Sequence, residues 1–424
     1  MSNKAANLLF RSQDLGGGFR VHLHKTRAFK TIQARLAFHA DLDEHAAARG
    51  LVPRVLARGT KRYPDLRSLQ SALDGFFAAH LSGHARKMGE RQLVVFRGEW
   101  ITDRLAGTRL LDEMGRMWAE LLHEPAMTAE GRLRPEVIEQ ERKIQADDAD
   151  AVIDDKGRYA RHRLIQEMCA GEAFARPALG TADEIRALTP DSVEAAYRGL
   201  LERAPADLFL VGDLTWAAAL KFARGLSLHR GRVPRQLKKT RKAKATRVRT
   251  VKEQQEVGQA KLELGFRVAI GYGHSLYSGL VYMNVLFGGS PIGKLFKKVR
   301  EEASLCYSVH SGVERTKGLL IVQAGIDSAN YAKARRLILK QLKELQAGRI
   351  TDEEFGRARS ILLSSVRSLS DSPGGLIEFG LERLVNGVPA DLEATLEDLA
   401  NVSVTNVRQA AKRVTLDTVY LLSD

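Results

Sequence analysis

The chain has 424 residues, more than one hydrophobic core usually needs, so two or more domains are expected. Its two cysteines, Cys169 and Cys306, exclude a disulfide framework and a thiolate metal site, which favours a reducing compartment. Nowhere do about 18 apolar residues follow one another, and the first residues lack a signal-peptide pattern. We therefore expect a cytoplasmic protein that does not use a membrane.

The net charge of +15 is concentrated in one segment, residues 230–249, which contains ten Lys or Arg and no acid. Such a run cannot bury an apolar face, so we interpret it as a solvated linker or an exposed strand edge. A dense cationic cluster also attracts phosphates, so binding to nucleic acid or to an anionic surface is the alternative. The run contains no aromatic residue for stacking on bases, which argues against specific recognition.

The predicted elements come in a similar order in the two halves of the chain. In the first half, a strand at 29–38 precedes an apolar helix at 46–58, a long amphipathic helix at 133–170 and a strand at 207–213. In the second half, the strand Ala260–Val268 precedes helices at 275–287 and 328–346 and a strand at 417–424. Thr351 and Glu354 have the spacing of a capping box at the start of another helix.

Residue matches between the halves indicate a duplication. At one constant offset, Gly131, Arg132, Leu133, Glu136, Ile138, Arg142 and Ile144 match Gly348, Arg349, Ile350, Glu353, Phe355, Arg359 and Ile361. At a second offset, Leu51, Val52, Leu56 and Gly59 match Leu280, Val281, Val285 and Gly288. Strands and helices do not alternate strictly, so we predict an α+β fold with two duplicated domains and largely antiparallel sheets. The expected boundaries are 1–229, a basic linker at 230–252, and 253–424.

One segment of the second half, residues 287–309, reads FGGSPIGKLFKKVREEASLCYSV. It resembles the second-half signature of the pitrilysin (insulinase-like) zinc peptidases, which include the mitochondrial processing peptidases. The resemblance implies pitrilysin-like domains arranged as a half-clamshell, with Arg300 and Tyr307 reaching a zinc site formed by another half or subunit. A guanidinium and a phenol hydroxyl are suitable donors to a developing oxyanion. Their separation of seven residues equals about two helical turns, so both could share one helix face.

The same segment starts with Gly288, Gly289 and Ser290, which the resemblance implies are substrate-binding residues. Residues 288–294 also fit the opening of a phosphate-binding loop, GxxxxGK. That loop requires Ser or Thr at the next position to hold Mg²⁺, and the chain has Leu295 there. We therefore exclude a nucleotide site of this type.

The first half lacks the inverted zinc motif HxxEH of the active family members, whose two His bind the metal while the Glu activates water. The equivalent place is the segment 50–54, in which Gly50 cannot ligate, Pro53 cannot act as a base and Arg54 is a permanent cation. Carboxylates survive in the region of the family's third ligand, from Glu141 to Asp148, but they do not make a zinc site alone. The chain is expected to hold no metal.

Two histidine pairs could in principle rebuild a metal site elsewhere. His80 and His84 have a helical spacing, but Gly83 and the sequence that follows favour a strand, on which the rings would be roughly 13 Å apart. His22 and His24 would share one face of a strand. We interpret both pairs as ordinary surface histidines.

A narrower resemblance covers most of the first half, in the segments 51–64, 87–90 and 204–213. These resemble a bacterial branch of pitrilysin homologues without the zinc motif, the YfmF-like proteins associated with 5-aminopentanol modification of elongation factor P. The implied function is the non-catalytic subunit of a heterodimeric zinc peptidase, with zinc in the partner and a peptide or unfolded protein as substrate. The alternatives are a structural or peptide-binding homologue, a nucleic-acid-associated protein that uses the basic segment, and, least favoured, an autonomous metallopeptidase.

Overall fold

Two mixed β-sheets organise the part of the chain that the computed structural model describes, residues 8–228 and 247–424. The first sheet has the order β1-β2-β6-β3-β5-β4, and the second has the order β7-β11-β8-β10-β9. The strands of the first sheet are β1 (Arg11–Asp14), β2 (Phe19–Lys25), β3 (Thr31–Asp41), β4 (His80–Met88), β5 (Arg91–Ile101) and β6 (Ala206–Gly212). Those of the second sheet are β7 (Arg249–Gln254), β8 (Ala260–Val268), β9 (Cys306–Glu314), β10 (Leu319–Ile326) and β11 (Val414–Ser423).

Helices pack on both sheets. The helices of residues 8–228 are α1 (Ala46–Leu56), α2 (Leu66–Gly75), α3 (Asp103–Ala106), α4 (Leu110–His123), α5 (Pro135–Asp150), α6 (Lys156–Met168), α7 (Ala182–Arg186), α8 (Pro190–Arg203) and α9 (Trp216–Gly225). Those of residues 247–424 are α10 (Tyr277–Asn284), α11 (Tyr331–Ala347), α12 (Asp352–Arg367), α13 (Pro373–Asn386), α14 (Leu392–Ala400) and α15 (Val404–Ala411), with π-helical turns at Val285–Gly289 and Phe296–Glu302. None of the described helices is both long and apolar enough to cross a bilayer.

The two sheets repeat one topology. Without β1, the order of the first sheet matches that of the second strand for strand. Each sheet contains one parallel pair at the same place, β2 with β6 and β7 with β11, and the other pairs are antiparallel. The predicted α+β fold of two similar domains with largely antiparallel sheets is therefore confirmed.

The sequence repeat coincides with this topology. Gly131 and Gly348, matched in sequence, have φ values of 73° and 80° and each precedes a long helix, α5 and α12. Both positions are left-handed, a conformation that favours glycine. The predicted capping box also forms, because the Thr351 hydroxyl accepts from the Glu354 amide and the Glu354 carboxylate accepts from the Thr351 amide.

The prediction of a single long helix at 133–170 is wrong. The chain forms α5 and α6, separated by a short 3-10 turn at Ala151–Ile153. Asp155 begins α6, since its carboxylate accepts hydrogen bonds from the amides of Gly157 at 3.1 Å and Arg158 at 3.0 Å. An amphipathic pattern does not reveal such an internal N-cap, because Asp is also common on helix surfaces.

Each half contributes one helix to the sheet of the other half. Helix α6 covers one face of the second sheet, and Gly265 of β8 is needed there because a Cβ atom would lie 2.6 Å from the Met168 sulfur. Helix α13 covers one face of the first sheet, where a Cβ atom on Gly380 would lie 2.6 Å from the Phe10 ring.

The second sheet already starts at Arg249, inside the segment expected as a linker, and residues 229–246 lie outside the described part.

A buried ionic network joins the two halves beside α6. The guanidinium of Arg267, 2% exposed, contacts Asp417 at 2.8 Å and Glu172 at 2.7 Å. The Lys317 ammonium contacts the second oxygen of Glu172 at 2.7 Å and also Glu90. Burial alone would raise the pKa of Glu172, but hydrogen bonds from Arg267 and Lys317 outweigh it and lower that pKa to about 2.

Candidate functional site

The three positions that the sequence analysis aligns with the zinc motif, Gly50, Pro53 and Arg54, lie on helix α1. Gly50 and Pro53 are buried. A Cβ atom on Gly50 would lie 3.1 Å from the Leu179 side chain and 3.4 Å from its Cα atom, so a larger side chain here requires Leu179 to shift. Pro53 packs on strand β4, where a Cβ atom on Gly83 would lie 2.7 Å from the proline ring. Both positions are therefore in close contact with neighbouring parts of the chain.

Arg54 projects from α1 toward two carboxylates of α5. Its Nε donates to Glu141 at 3.2 Å and its Nη1 donates to Asp148 at 2.8 Å. Glu141 is only 3% exposed and also accepts from Arg58, in the turn that follows α1. Two guanidinium groups thus neutralise carboxylates of the segment from Glu141 to Asp148, in which the family's third zinc ligand was expected.

This arrangement is incompatible with a zinc site on α1. A divalent cation beside Arg54 and Arg58 would be repelled, and the one buried carboxylate in reach already has two cationic partners. Residues 8–228 and 247–424 contain no group of three or more His, Cys, Asp or Glu that could hold a metal ion.

We expect that introducing the residues of the HxxEH motif into α1 will not create a zinc site. In the variant Gly50→His/Pro53→Glu/Arg54→His, the imidazole at position 50 would have to displace the Leu179 side chain, and Arg58 would still pair with Glu141. Zinc measured by elemental analysis after dialysis should stay well below one ion per chain. The control is the same variant with Arg58→Ala, and stoichiometric zinc in the triple variant would show that the site is not closed.

The histidine pairs have different environments. His80 and His84 lie on strand β4 and are exposed, as expected for surface residues. The surface interpretation of His22 is wrong, because this ring is 5% exposed and its Nε2 lies 2.8 Å from Asp207. The fully buried Asp207 also contacts His39 at 2.9 Å. Burial alone would raise the pKa of Asp207, but hydrogen bonds with His22 and His39 lower that pKa well below its usual range. Sequence analysis missed this cluster because its members are far apart in sequence.

The glycine-rich part of the signature forms a packed turn. Gly288 is buried in the π-helical turn after α10, and a Cβ atom there would lie 2.7 Å from Leu295 and 3.1 Å from the Ser311 hydroxyl. Gly289 is exposed and lies against Asn284. Ser290 donates to the Val285 carbonyl oxygen at 3.1 Å. These contacts give the turn a structural role, and substrate binding by residues 288–290 stays a prediction.

Lys294, which completes the apparent phosphate-binding loop, already has a partner. Its ammonium lies 2.9 and 3.1 Å from the two carboxylate oxygens of Glu354. The lysine thus ties the signature segment to the start of α12. The lysine therefore has a structural role in this segment.

Arg300 and Tyr307 lie on two different elements. Arg300 belongs to the π-helical turn Phe296–Glu302, and Tyr307 is the second residue of strand β9. Between them Ser304 has a φ of 49°, which turns the chain from helix to strand. The expectation that both side chains could share one helix face is wrong, because the helix ends before Tyr307.

Both side chains nevertheless face outward. Tyr307 is 77% exposed, although aromatic strand residues are usually half buried, and it makes no hydrogen bond within the described residues. Arg300 is exposed and lies over the Phe296 ring at 4.5 Å. Arg300 forms no ion pair in the described part of the chain. The nearby Glu302 pairs instead with Lys298 at 2.6 Å. The segment therefore presents a cation and a phenol whose donors have no acceptor among the described residues.

Sequence reasoning named Arg54 but missed Arg58 and the partner of both. The signal was present, because residues four apart on a helix lie on one face. Two arginines at this spacing, one in the last turn of α1 and one just after it, with carboxylates predicted on a neighbouring helix, would have predicted the closed ionic cluster. What the sequence did not show is that Glu141, rather than Asp147, is the buried carboxylate.

Comparisons with known proteins show which family the chain is similar to. A family model described as "Peptidase M16 inactive domain" matches residues 187–362. The chain is 30% identical over 409 residues to the probable inactive metalloprotease YmfF of Bacillus subtilis, covering 96% of each protein. Among solved structures, it is similar to a conserved protein from Enterococcus faecalis with a TM-score of 0.90, 24% identity and 98% coverage of both chains. A peptidase M16 inactive domain from Pseudomonas fluorescens has a TM-score of 0.81, 17% identity and the same coverage.

Proposed function

The chain belongs to the M16 (pitrilysin) family of metallopeptidases, and from that premise we propose that it is the zinc-free subunit of a two-subunit peptidase. In this proposal a zinc-bearing homologue supplies the catalytic metal site, and this chain supplies Arg300 and Tyr307. The observation that carries the proposal is the contrast between the two halves. The place of the zinc motif is closed by packing and by ion pairs, whereas the Arg/Tyr segment is open.

The exposure of Tyr307 supports a role outside this chain. Keeping most of the Tyr307 ring in water is unfavourable compared with burying part of it. Removing apolar surface from water contributes about 25 cal/mol of favourable free energy per Å². Cys306 and Val309 on the same strand point into the core, so the strand itself is firmly packed. Tyr307 is therefore held on a rigid element with its hydroxyl available to a second molecule.

Arg300 is suited to the same task. A guanidinium carries a permanent charge and can donate two hydrogen bonds to one carboxylate or oxyanion. Its position over the Phe296 ring limits its rotamers and orients the donors. Together the two side chains would bind a substrate carbonyl and stabilise the negative charge that develops on its oxygen.

The substrate in this proposal is a peptide or an unfolded protein. Strands β4 and β9 each form one edge of a described sheet, and an extended peptide can add to an edge through main-chain hydrogen bonds. Tyr307 lies at the start of β9, and β4 packs against α1 through Gly83 and Pro53. In the partner, zinc would polarise the peptide carbonyl and activate water.

A reducing, cytoplasmic location is part of the proposal. Cys169 and Cys306 are both buried and free. Burial raises the pKa of each thiol to about 11, so neither is activated for disulfide exchange.

Reconstitution tests the proposal. This chain and a zinc-bearing homologue from the same genome are purified separately and mixed, and complex formation, zinc content and cleavage of a quenched fluorescent peptide are measured. We expect a complex, with zinc contributed by the homologue alone and cleavage that greatly exceeds that of either chain. Stoichiometric zinc or cleavage in this chain alone would contradict the proposal, and a complex with no gain in cleavage would favour a structural or peptide-binding homologue.

A further inference from the structure

A cavity of about 800 Å³ lies where the two halves of the chain meet. One of its walls is helix α13, which covers the first sheet, and the others are α10, α12 and α14, which pack in the core of the second half. Its lining residues fall within 272–406, and all of them are described. Ligand sites often lie at such junctions and have volumes of about 300–1,000 Å³, so the size and place of this cavity are those of a small-molecule site.

The lining of the cavity is mainly apolar. Val281 of α10, Val366 of α12 and Phe379 of α13 are only half-buried, so part of their apolar surface stays open to the cavity. Tyr272 and Tyr277 stack on each other with their ring centroids 4.5 Å apart and add an aromatic surface. A molecule with an apolar body would cover this surface, which is favourable by about 25 cal/mol per Å².

One cation of the lining, Arg383 of α13, is held in a fixed orientation. Its Nη2 donates to the Thr395 hydroxyl of α14 at 2.9 Å. Its guanidinium carbon lies 4.8 Å from the centre of the Phe379 ring and 5.5 Å from that of the Tyr272 ring. A guanidinium can donate two parallel hydrogen bonds to one carboxylate, and one that is already oriented loses little freedom when it does so.

The other charges of the lining leave this arginine available. Glu382 is paired with the second arginine of the lining, Arg315, at 3.5 Å. Asp391 caps the start of α14 through its carboxylate. Asp398 is exposed to water, where its charge is screened. The charge that a ligand meets among the half-buried apolar side chains is therefore that of Arg383.

We propose that this cavity binds a small organic carboxylate with an apolar body. The carboxylate accepts from Arg383, and the apolar part lies among the rings and aliphatic side chains of the four helices. A cationic ligand fits less well, because Arg383 would repel it and already lies over two of the aromatic rings. Arg300 and Tyr307 do not line the cavity, so the inference does not rest on the proposed peptidase role.

Two sources share this chemistry, the C-terminal end of a short apolar peptide and a free aryl or alkyl carboxylic acid. The full chain is therefore titrated separately with trileucine and with 4-phenylbutyrate by isothermal titration calorimetry, and the neutral amide of each compound is the matched control. Thermal unfolding is followed with and without each compound. Because the cavity is walled by helices from both halves, a bound ligand should raise the melting temperature of the whole chain.

Three variants locate the site. Arg383→Gln removes the cation, and Ala394→Trp places a large ring at an exposed position of the lining without removing a charge. Arg367→Gln is the control, because it removes an exposed cation of α12 that does not line the cavity. Circular dichroism checks the fold of each variant, and Ala394→Trp and the neutral amides still test the proposal if Arg383→Gln does not fold.

We expect saturable binding of at least one of the two carboxylates, and the one that binds identifies the source. Arg383→Gln should weaken it about 10–100-fold, the usual effect of losing a hydrogen bond to a charged group. Ala394→Trp should also weaken binding, and Arg367→Gln should bind as the unchanged chain does. The proposal is overturned if neither carboxylate binds saturably, if the amides bind as tightly as the acids, if Arg383→Gln and Ala394→Trp leave the affinity unchanged, or if the control loses as much affinity as they do.

Discussion

Replacing Arg300 by alanine is expected to lower kcat/KM for peptide cleavage by the reconstituted pair by about 10²–10³, the usual effect of removing one donor to a developing oxyanion. The side chain is exposed and has no ion pair among the described residues, so its loss should leave the fold of this chain unchanged. Complex formation and the zinc content of the partner should also be unchanged. Cleavage kinetics, gel filtration and elemental analysis of one preparation measure all three.

Tyr307→Phe removes only the hydroxyl and is expected to lower kcat/KM in the same direction, with kcat affected more than KM if the hydroxyl donates mainly in the transition state. Lys298→Ala is the matched control, because it removes a cation from the same helical turn that is paired with Glu302 at 2.6 Å. Activity should be kept in this control. Full activity of both Arg300→Ala and Tyr307→Phe would show that this chain has no catalytic contribution.

Replacing Arg267 by methionine is expected to destabilise the chain by about 3–5 kcal/mol, the cost of leaving buried charges without their partner. Arg267 is 2% exposed, and its loss would leave Glu172 and Asp417 without their shared cation. The control is Arg349→Met, which breaks a pair in which the arginine is 72% exposed and should cost less than about 1 kcal/mol. Denaturant unfolding of both variants measures the difference.

The same network predicts how this stabilisation depends on pH. The pKa of Glu172 is about 2 in the folded chain and about 4.3 in an unfolded chain, so the unfolded state takes up the proton first as pH falls. The contribution of Glu172 is therefore complete above about pH 4.3 and is lost as the pH falls toward 2. An equal loss of stability for Arg267→Met and Arg349→Met at neutral pH would contradict this account of the network.

The duplicated fold could be predicted because its evidence is local and repeated. Matches such as Gly131 with Gly348 reflect a left-handed residue before a long helix in each half, and a Gly at such a position is recognisable in sequence. The exchange of α6 and α13 between the sheets could not be predicted. Their apolar faces carry no information about which sheet they cover, and the choice depends on tertiary contacts such as that between Met168 and Gly265.

The sequence analysis names the residues of the candidate site but does not predict their geometry. The residues at positions 50, 53, 54, 300 and 307 were named from motif positions, because a motif specifies which residue types stand at which spacing. The left-handed Ser304, which separates Arg300 and Tyr307 onto a helix and a strand, has no sequence signal, since serine rarely adopts this conformation. Burial of Glu141 between Arg54 and Arg58 likewise depends on how α5 packs on α1.

The claim that Tyr307 enters the partner's metal site can be tested by proximity. A fluorotyrosine is incorporated at position 307 alone, and the zinc of the partner is replaced by paramagnetic Co²⁺. The account predicts that the fluorine resonance is strongly broadened by the Co²⁺-loaded partner and stays sharp with the Zn²⁺-loaded partner. A resonance that is identical in the two complexes would place Tyr307 far from the metal and would contradict the account.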